Sequence, residues 1–380
     1  MRVLIVGAGP AGLYLAYLLG RRRAGLDVRI VEQNPADATF GFGVVFSDRA
    51  LEFLNEDDPE THAAITPHLE TWDDISIVHG GETVRIDGIG FAAIGRLKLL
   101  RLLQDRVRSV GIVPTYEHTL ASLDEFADAD LIVGADGVNS LVRRTHAQEF
   151  GATVTHLSNR FAWFGTTRLF DTLTQTYRRT ELGCFNAHHY RYTDDMSTFI
   201  VETDEATFAR AGFDRMSEDA AKAVCEQVFA DVLAGHPLIS NRSVWRQFPR
   251  VRNARWSHRN RVLIGDALHT AHFSIGSGTR LAMEDALALD LALAQHPGDI
   301  PAALAGFEAT RRPILEKLVA AADQSGAWYE DFAGHMAQEP IDFAMSYVTR
   351  SGRVSIERLR GVSPAFVARC ERERPTVRCA

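Results

Sequence analysis

The chain has 380 residues, of which 46% are hydrophobic and 24% are charged, and its formal net charge is −8. This composition is typical of a globular protein with a sizeable core. The acidic balance disfavours a nucleic-acid partner, because there is no excess of basic side chains to neutralise phosphates. No window approaches 18 uninterrupted apolar residues, so we expect no membrane span.

The cysteine spacings match neither a zinc site nor a disulfide framework, and the four residues are Cys184, Cys225, Cys370 and Cys379. We therefore expect reduced thiols and a cytoplasmic protein. The first apolar run is cut by glycines and a proline, unlike a secretory signal peptide. We expect no metal site, since neither an HExxH nor a CxxC pattern occurs.

The N-terminal segment predicts a strand, a glycine-rich turn, a helix and a second strand. A GxGxxG turn follows the apolar run from Val3 to Val6, and the second strand ends in Glu32, 20 residues after Gly12. This context predicts a dinucleotide site formed by Gly7, Gly9, Pro10, Ala11, Gly12, Glu32 and Gln33. The acidic residue favours FAD or NAD over NADP, because it can bind a free ribose hydroxyl.

The middle of the chain changes to short strands. "DDISIVHG" and "ETVRIDG" predict two of them, and the segment that begins at Arg96 predicts a helix. "ADLIVGADGVNS" predicts another buried strand, followed by a turn at Asp136 and Gly137. From Arg160 to Val201 the segments are short, aromatic and alternating, which indicates an antiparallel sheet. Ser217 is a predicted N-cap, and almost everything after Thr279 is predicted to be helical.

A second glycine-rich turn lies in "RVLIGDALHTAHFSIGSGTRLAMEDA", which covers residues 261–286. Asp266, at the end of a predicted strand, can accept hydrogen bonds from a polyol chain. Gly276 and Gly278 precede a predicted helix, whose N-terminal amides can face a partly negative ring. FAD has an ADP part, a ribityl chain and such a ring, so the two turns together favour FAD.

Three motifs in order, "GAGPAG", "DLIVGADGVNS" and "LIGDALH…GSGT…EDA", resemble those of the single-component (class A) FAD-dependent aromatic hydroxylases. The resemblance covers roughly residues 1–320. "FGFGVVFSD", "HYRYTDDMSTFIVE" and "HTAHFSIGSGTRLAMEDA" are similar to a subgroup that hydroxylates salicylyl-CoA and 2-aminobenzoyl-CoA, and to the violacein-pathway hydroxylase.

The resemblance implies an α/β fold with a Rossmann-type, p-hydroxybenzoate hydroxylase-like FAD-binding domain, an inserted antiparallel β-sheet substrate domain and a helical C-terminus. The FAD-binding domain would comprise residues 1–72, 96–158 and 257–300. The β-rich substrate domain would comprise 73–95 and 159–256, and the helical region 301–380.

The resemblance also implies non-covalent FAD, NADH or NADPH as co-substrate, O2, and a flavin C4a-hydroperoxide that hydroxylates an electron-rich ring. Further FAD contacts would come from Arg96, Asp136, Gly137, Asp266, Gly276, Gly278 and Thr279. The chain departs from many hydroxylases in having Phe42 where they keep arginines, and Arg49 is a possible substitute or a solvent-exposed helix residue.

For the substrate we expect an aromatic pocket with His272, Phe273, His188 and Tyr190 as candidate catalytic residues. Each of these histidines can equally have a structural role, and the aromatic residues of the insert can equally be core. His188 and His189 alternate on a strand, so at most one faces the pocket. Seven arginines between Arg242 and Arg261 could bind the phosphates of a CoA thioester or could form a solvated strand edge.

The predicted function is hydroxylation of an ortho-substituted benzoyl-CoA such as salicylyl-CoA at ring position 5. The alternative is a free aromatic acid or an indole- or tryptophan-derived intermediate. A flavin halogenase is disfavoured because no WxWxIP-like segment occurs, and a non-catalytic scaffold is disfavoured by the intact flavin motifs. We expect a monomer or a homodimer.

Overall fold

The computed structural model describes residues 1–22, 25–39, 41–47 and 50–374, so Arg49 and Cys379 lie outside the described residues. In chain order the strands are β1 Arg2–Val6, β2 Asp27–Val31, β3 Gly43–Ser47, β4 Glu70–Trp72, β5 Ile75–His79, β6 Glu82–Ile86, β7 Phe91–Gly95, β8 Leu131–Gly134, β9 Ala152–Thr166, β10 Leu173–Thr180, β11 Gly183–Arg191, β12 Ser197–Thr203, β13 Leu238–Ser240, β14 Arg246–Asn253, β15 Ser257–His258 and β16 Arg261–Leu263.

The α-helices are α1 Pro10–Arg22, α2 Glu52–Asp57, α3 Pro59–Ile65, α4 Arg96–Ser109, α5 Leu141–Thr145, α6 Ala147–Phe150, α7 Glu205–Ala211, α8 Glu218–Val228, α9 Ala230–Leu233, α10 Gly278–Gln295, α11 Ile300–Glu330, α12 Phe332–His335, α13 Pro340–Thr349, α14 Ile356–Val362 and α15 Pro364–Glu373. Short 3₁₀ turns include Gly265–Ala267 and Phe273–Ile275. Ser217 caps α8 as predicted, since its side chain accepts a hydrogen bond from the Ala220 amide.

A five-stranded sheet carries the predicted nucleotide-binding turns. Its order is β15-β16-β8-β1-β2, and it is parallel except for the β15–β16 hairpin. The inner strand β1 is buried on both faces, as its continuous apolar sequence predicts. The buried side chains of α1, α4 and α10 pack in the same core. The carboxyl ends of β1, β2, β8 and β16 therefore meet at one edge, where ligands bind in sheets of this kind.

A second sheet of eight strands has the order β13-β9-β12-β11-β10-β5-β6, with β14 also paired to β9. It is antiparallel as predicted, except that β5 and β10 run parallel. The exception arises because β5 and β6 come from a distant segment and join the edge of the sheet. A small third sheet, β3-β7-β4, combines strands from both sides of the predicted boundary at residue 72. The domain boundaries remain a prediction.

The helical C-terminal segment contacts both sheets. Helix α11 has 31 residues and is therefore about 46 Å long. Leu304 and Phe307, near its start, are buried in the core of the five-stranded sheet. Trp328 and Tyr329, near its end, are buried with residues of β5, β6 and β10. No helix in the described ranges is both long and apolar enough to cross a membrane.

Candidate active site

The first glycine turn links β1 to α1 and is closely packed. Gly7 has a φ of +103°, and a Cβ there would lie 2.4 Å from the Ala135 carbonyl oxygen. A Cβ on Gly12 would lie 2.0 Å from the Gly7 carbonyl oxygen. Gly9 differs, because no atom lies within 4 Å of the Cβ it would carry. Two glycines thus permit the turn, and the third leaves space in front of the N-terminus of α1, where Pro10 is the first residue.

Glu32 lies at the end of β2, beside this turn. Its carboxylate accepts hydrogen bonds from the Ala8 amide at 2.9 Å and from the Asn34 amide and side chain at 2.9 and 2.7 Å. The half-buried carboxylate is therefore held where the acidic residue of such folds accepts a hydrogen bond from the ribose of an adenosine. Gln33, the next predicted contact, is exposed.

Asp136 and Gly137 follow β8 on the other side of the same turn. The Oδ2 atom of Asp136 accepts hydrogen bonds from the Leu141 and Val142 amides at 2.6 and 3.3 Å, which orients the start of α5. The Oδ1 atom is buried and has no hydrogen-bond partner among the described residues. Burial raises the pKa of this carboxyl. Asp136 is thus rigidly held through Oδ2, and its Oδ1 atom is left without a partner in the described part of the chain.

The second glycine turn meets the first. Gly265, with a φ of +59°, is so close to α1 that a Cβ there would lie 3.2 Å from the Cβ of Ala11. Its amide donates to Asp285 Oδ2 at 3.0 Å. Asp285 is fully buried and also pairs with Arg311 and His269, at 2.9 and 2.7 Å. This buried ionic network fixes the turn from behind.

Asp266, the next residue, is exposed to solvent, whereas Asp285 is not. The protein atoms around Asp266 nevertheless raise the pKa of its carboxyl, while His269 and Arg96 act in the opposite direction. Burial lowers the pKa of Arg96, which Asp266 partly offsets. A solvent-accessible carboxylate in low-dielectric surroundings, near a guanidinium, is the expected arrangement of groups that line a cleft.

Helix α10 begins at Gly278, and the side chain of the preceding Ser277 does not cap it. A Cβ on Gly278 would meet no atom within 4 Å, so space is open in front of the helix N-terminus. Gly276 is tightly placed, with a φ of +59° and Val45 Cγ1 3.1 Å from a Cβ built there. Thr279 is half-buried in the first turn of α10. The positive end of α10 therefore faces open space rather than protein.

These features fit FAD. Open space lies before the N-termini of α1 and α10, and the carboxylates of Glu32, Asp136 and Asp266 lie between and beside them. The close approach of Ala11 to Gly265 joins the two turns into one continuous edge. One end suits a pyrophosphate with its adenosine, and the other suits a ring that becomes anionic on reduction.

An aromatic cluster lies next to the second turn. Its members come from β9, β11, β14, the 3₁₀ turn and α11, and they are Phe161, His188, Phe248, His272, Phe273 and Tyr329. Phe273 is central, with ring centroids 4.9 Å from Phe161, 5.2 Å from His188 and 6.1 Å from Phe248. The cluster is apolar enough to hold an arene and to exclude water.

His272 is buried and anchored by a chain of hydroxyl groups. Its Nδ1 atom lies 2.7 Å from Ser274 Oγ, which lies 2.7 Å from Ser325 Oγ. Arg350 Nε donates to Ser325 at 2.9 Å. Ser325 accepts from Arg350, and each serine hydroxyl can both donate and accept, so the chain holds the imidazole in place with either Nδ1 or Nε2 protonated. Burial lowers the pKa of His272 to about 4, so the ring is neutral and has one N–H donor and one nitrogen acceptor.

The two adjacent histidines of β11 face opposite sides. His188 stacks on Tyr329 at 5.0 Å within the aromatic cluster. His189 stacks on Phe199 at 5.2 Å on the opposite face of the sheet, and its ring is hydrogen-bonded to the Thr176 hydroxyl. Burial lowers the pKa of both imidazoles to about 3. Only His188 therefore belongs to the aromatic cluster.

Tyr190 and Phe42 have clear packing partners. The Tyr190 hydroxyl donates to the Gly43 carbonyl oxygen at 3.0 Å, which ties β11 to β3. The ring of Phe42 covers Gly165, where a Cβ would lie 2.5 Å from it. Phe42 also accepts, through its carbonyl, the Arg96 amide. The Tyr190 side chain therefore helps to hold β3 in place.

The sequence patterns did not indicate several members of this site, namely Asn159, Glu202, Phe248, Tyr329 and Arg350. Glu202 had one available signal, because it is a charged residue inside the apolar run "STFIVET" of β12. Tyr329 and Arg350 belong to the helical segment, where helical periodicity predicts buried faces but not their partners.

The arginine-rich segment divides into two groups. Nη2 of Arg252 donates to both carboxylate oxygens of Asp323 at 2.7 and 2.8 Å, and Arg255 donates to backbone carbonyls of α6. Arg246 and Arg250 lie on β14 on either side of Phe248. Arg250 pairs with Asp323 at 3.1 Å and keeps 40% of its side chain exposed. Two arginines therefore border the aromatic cluster.

Comparison with known families agrees with this geometry. The family described as FAD binding domain matches residues 1–64 and 110–322, which is more than half of the chain. The predicted FAD cofactor and the Rossmann-type fold are confirmed by this match.

Three relatives narrow the chemistry. The salicyloyl-CoA 5-hydroxylase of a Streptomyces species is 42% identical over 361 residues, or 92% of this chain and 70% of that protein. The 3-hydroxy-4-methyl-anthranilyl-[aryl-carrier protein] 5-monooxygenase of Streptosporangium sibiricum is 35% identical over 93% of this chain and 95% of its own length. The protodeoxyviolaceinate monooxygenase of Chromobacterium violaceum is 36% identical over 92% and 94%.

All three are monooxygenases or hydroxylases, as the sequence motifs predicted, and each matches more than nine-tenths of this chain. NAD(P)H is the usual reductant of the class. The chain belongs to the FAD-dependent aromatic monooxygenases.

Proposed function

We propose that the enzyme hydroxylates an ortho-substituted benzoyl-CoA, such as salicylyl-CoA, at ring position 5. The observation that carries the proposal is the position of Arg246 and Arg250 beside Phe248, at the border of the aromatic cluster. Guanidinium groups bind phosphates well, and a CoA thioester would leave its phosphates outside a pocket that holds the ring. Two relatives are named for rings carried by CoA or by an aryl-carrier protein.

Bound FAD would supply the oxidising chemistry, using NAD(P)H and O2. The glycine turns, with Glu32, Asp136 and Asp266, would bind it. Phe161, Phe248 and Phe273 would hold the ring and keep water out.

The neutral imidazoles would orient the ring's polar substituent. His272 offers a ring nitrogen that can donate or accept, according to its tautomer, and His188 offers a second ring nitrogen. Tyr190 would act indirectly, by fixing β3.

The alternative substrate is a free aromatic acid or an indole- or tryptophan-derived intermediate. The observation that favours it is the likeness to the protodeoxyviolaceinate monooxygenase. Such a substrate carries no CoA phosphates, so substitutions of Arg246 and Arg250 should not change its KM.

The test compares NAD(P)H oxidation and product formation with salicylyl-CoA, 2-aminobenzoyl-CoA, the two free acids and an indole. Arg246→Glu/Arg250→Glu should raise KM for the thioesters by about tenfold or more, with kcat nearly unchanged, because these contacts bind ground and transition states alike. Arg215→Glu is the control, since Arg215 has a side chain that is 79% exposed. Equal KM values, or turnover of the free acids alone, would reject the thioester.

We also propose the domain division 1–72, 96–158 and 257–300 for FAD, 73–95 and 159–256 for the substrate, and 301–380 as a helical region. The buried free thiols of Cys184 and Cys225 suit a reducing cytoplasm. We propose a monomer or a homodimer, and light scattering would distinguish these two oligomeric states.

A further inference from the structure

A carboxylate lies buried behind the aromatic cluster and has no part in the roles described so far. Glu202 on β12 is 2% exposed. Its Oε1 atom accepts a hydrogen bond from Asn159 Nδ2 at 3.0 Å, and its Oε2 atom lies 3.1 Å from His188 Nε2. A buried carboxylate is costly unless it is paired. The pairing with His188 connects it directly to the cluster.

The orientation of Asn159 determines how this pair can be protonated. Its Nδ2 group donates to Glu202 and also to the Tyr329 carbonyl oxygen at 2.7 Å. Turning the amide over would place Oδ1 against two acceptors, so the amide is fixed. Glu202 Oε1 must therefore accept from Asn159. When Glu202 is ionised, His188 Nε2 must be the donor, which leaves Nδ1 of His188 to accept a proton.

Proton uptake at Nδ1 does not have to create an imidazolium. The Nε2 proton can pass to Glu202 Oε2, so that the pair gains one proton while the ring stays neutral. Burial lowers the pKa of His188 to about 3, which disfavours imidazolium. Burial raises the pKa of Glu202 to about 7, so the carboxyl can take the proton near neutral pH.

Other charged or titratable groups surround the pair. His272 on the 3₁₀ turn lowers the pKa of Glu202, and Glu330 at the end of α11 raises it. Arg350, after α13, disfavours a charged His188. Tyr329 on α11 stacks on the imidazole and stays a phenol, because burial raises its pKa. None of these groups replaces Glu202 as the partner of His188 Nε2.

We propose that Glu202 is a positioning residue that acts through His188, so that the pair accepts the proton of the ring's ortho hydroxyl group during hydroxylation. This inference rests on the proposed function. The O–H bond breaks, its electron pair enriches the ring, and the proton moves to His188 Nδ1 as the Nε2 proton moves to Glu202. One oxygen atom of O2 then forms a C–O bond with the ring as the O–O bond breaks. NAD(P)H supplies the two electrons, and the second oxygen atom leaves as water with two protons. The ring carbon loses its C–H proton to solvent, and the stored proton returns to the ring oxygen.

The first test needs no substrate. In FAD-loaded enzyme with ¹⁵N-labelled histidine, His188 is assigned with His188→Gln. Lowering the pH from about 8 to about 5.5, across the Glu202 pKa, should exchange the protonated nitrogen from Nε2 to Nδ1 while the ring stays neutral. In Glu202→Gln, the fixed Asn159 forces the new amide N–H toward His188, so the Nδ1–H form should persist at every pH. A histidine that keeps its tautomer in both proteins overturns the pair.

The second test measures the ionisation of the bound substrate in the absence of turnover. Salicylyl-CoA, ¹³C-labelled at its hydroxyl-bearing carbon, is bound to the oxidised holoenzyme, and its ionisation is followed against pH. Glu202→Gln should raise the midpoint by about one pH unit or more, a tenfold loss of phenolate. Glu202→Asp should restore part of the shift.

His189→Gln is the matched control, because His189 lies on the same strand but on the opposite face of the sheet. It should leave the midpoint of substrate ionisation unchanged. An unmoved midpoint in Glu202→Gln, or equal shifts in Glu202→Gln and His189→Gln, overturns the proposal. Failure of salicylyl-CoA to bind instead counts against the proposed thioester substrate, and the histidine spectra then decide the role of Glu202 alone.

Discussion

The cofactor edge and the aromatic cluster lie side by side but are built differently. The cofactor edge consists largely of backbone, with glycines, helix N-termini and carboxylates that lie shortly after the end of a strand. The aromatic cluster consists of side chains from five separate segments, between Phe161 and Tyr329. The first depends on local chain geometry, and the second depends on how distant elements pack. Substitutions should therefore affect them differently.

The largest effect is expected at Gly12. A Cβ there would lie 2.0 Å from a backbone oxygen that has no room to move, so Gly12→Val should lose more than about 3 kcal/mol of stability or fail to fold. Gly9→Ala is the matched variant, because its Cβ enters open space. It should keep its stability within about 0.5 kcal/mol and lose FAD affinity tenfold or more.

Urea unfolding of the apoprotein and a fluorescence titration with FAD measure the two quantities. If Gly9→Ala bound FAD normally, the open space before α1 would not be the pyrophosphate site.

Substitutions of two neighbouring carboxylates, Asp285 and Asp266, should have different effects on stability and on FAD binding. Asp285→Ala removes one of the two carboxylates that pair with the buried Arg311, leaving Glu284, and also removes the acceptor of the Gly265 amide, so we expect a loss of about 3 kcal/mol in the free energy of unfolding. Asp266→Ala removes an exposed carboxylate and should leave stability intact while FAD affinity falls by about 1.5–3 kcal/mol. Normal FAD affinity in Asp266→Ala would show that this carboxylate does not face the cofactor.

Low pH should destabilise the part of the molecule that contains the aromatic cluster. Burial lowers the pKa of His188 and His189 to about 3 and that of His272 to about 4, whereas the unfolded chain binds these protons near pH 6.5. Their stabilisation is therefore complete above about pH 6.5 and is lost as the pH falls toward 3–4. Glu202, with a pKa raised to about 7, acts in the opposite sense, but it is one group against three.

The free energy of unfolding should thus fall between pH 6.5 and 4. His189→Gln should reduce that slope by up to about 1.4 kcal/mol per pH unit. An unchanged slope would show that folding does not lower the pKa of His189.

The same contrast explains what could be predicted from the sequence. The turns at Gly7 and Asp266 were predictable, because strand, turn and helix follow one another in a few residues. The meeting of Ala11 with Gly265, and the parallel pairing of β5 with β10, depend on tertiary contacts that no local pattern encodes.

The substrate side was predictable only in part. Alternation on β11 indicated that only one of its two histidines could face the cluster. Glu202 and Tyr329 become neighbours of that histidine only through the pairing of β12 and the docking of α11. A side-chain site assembled across such distances needs the fold before its members can be recognised.

A small loss of stability is expected for His272→Ala, which tests whether the cluster or the turn depends on this imidazole. His272 bonds Ser274, two residues along the same turn, and its ring lies 4.3 Å from Phe273. If His272 donates to the substrate, His272→Ala should lose about 1 kcal/mol of stability, keep FAD, and divert NAD(P)H electrons to hydrogen peroxide, because a poorly held ring is hydroxylated too slowly. Ser274→Ala removes the anchor but keeps the imidazole, so it should change coupling less. Peroxide yield and melting temperature are measured on both variants. Normal coupling with a large fall in melting temperature would mean that His272 only braces the turn.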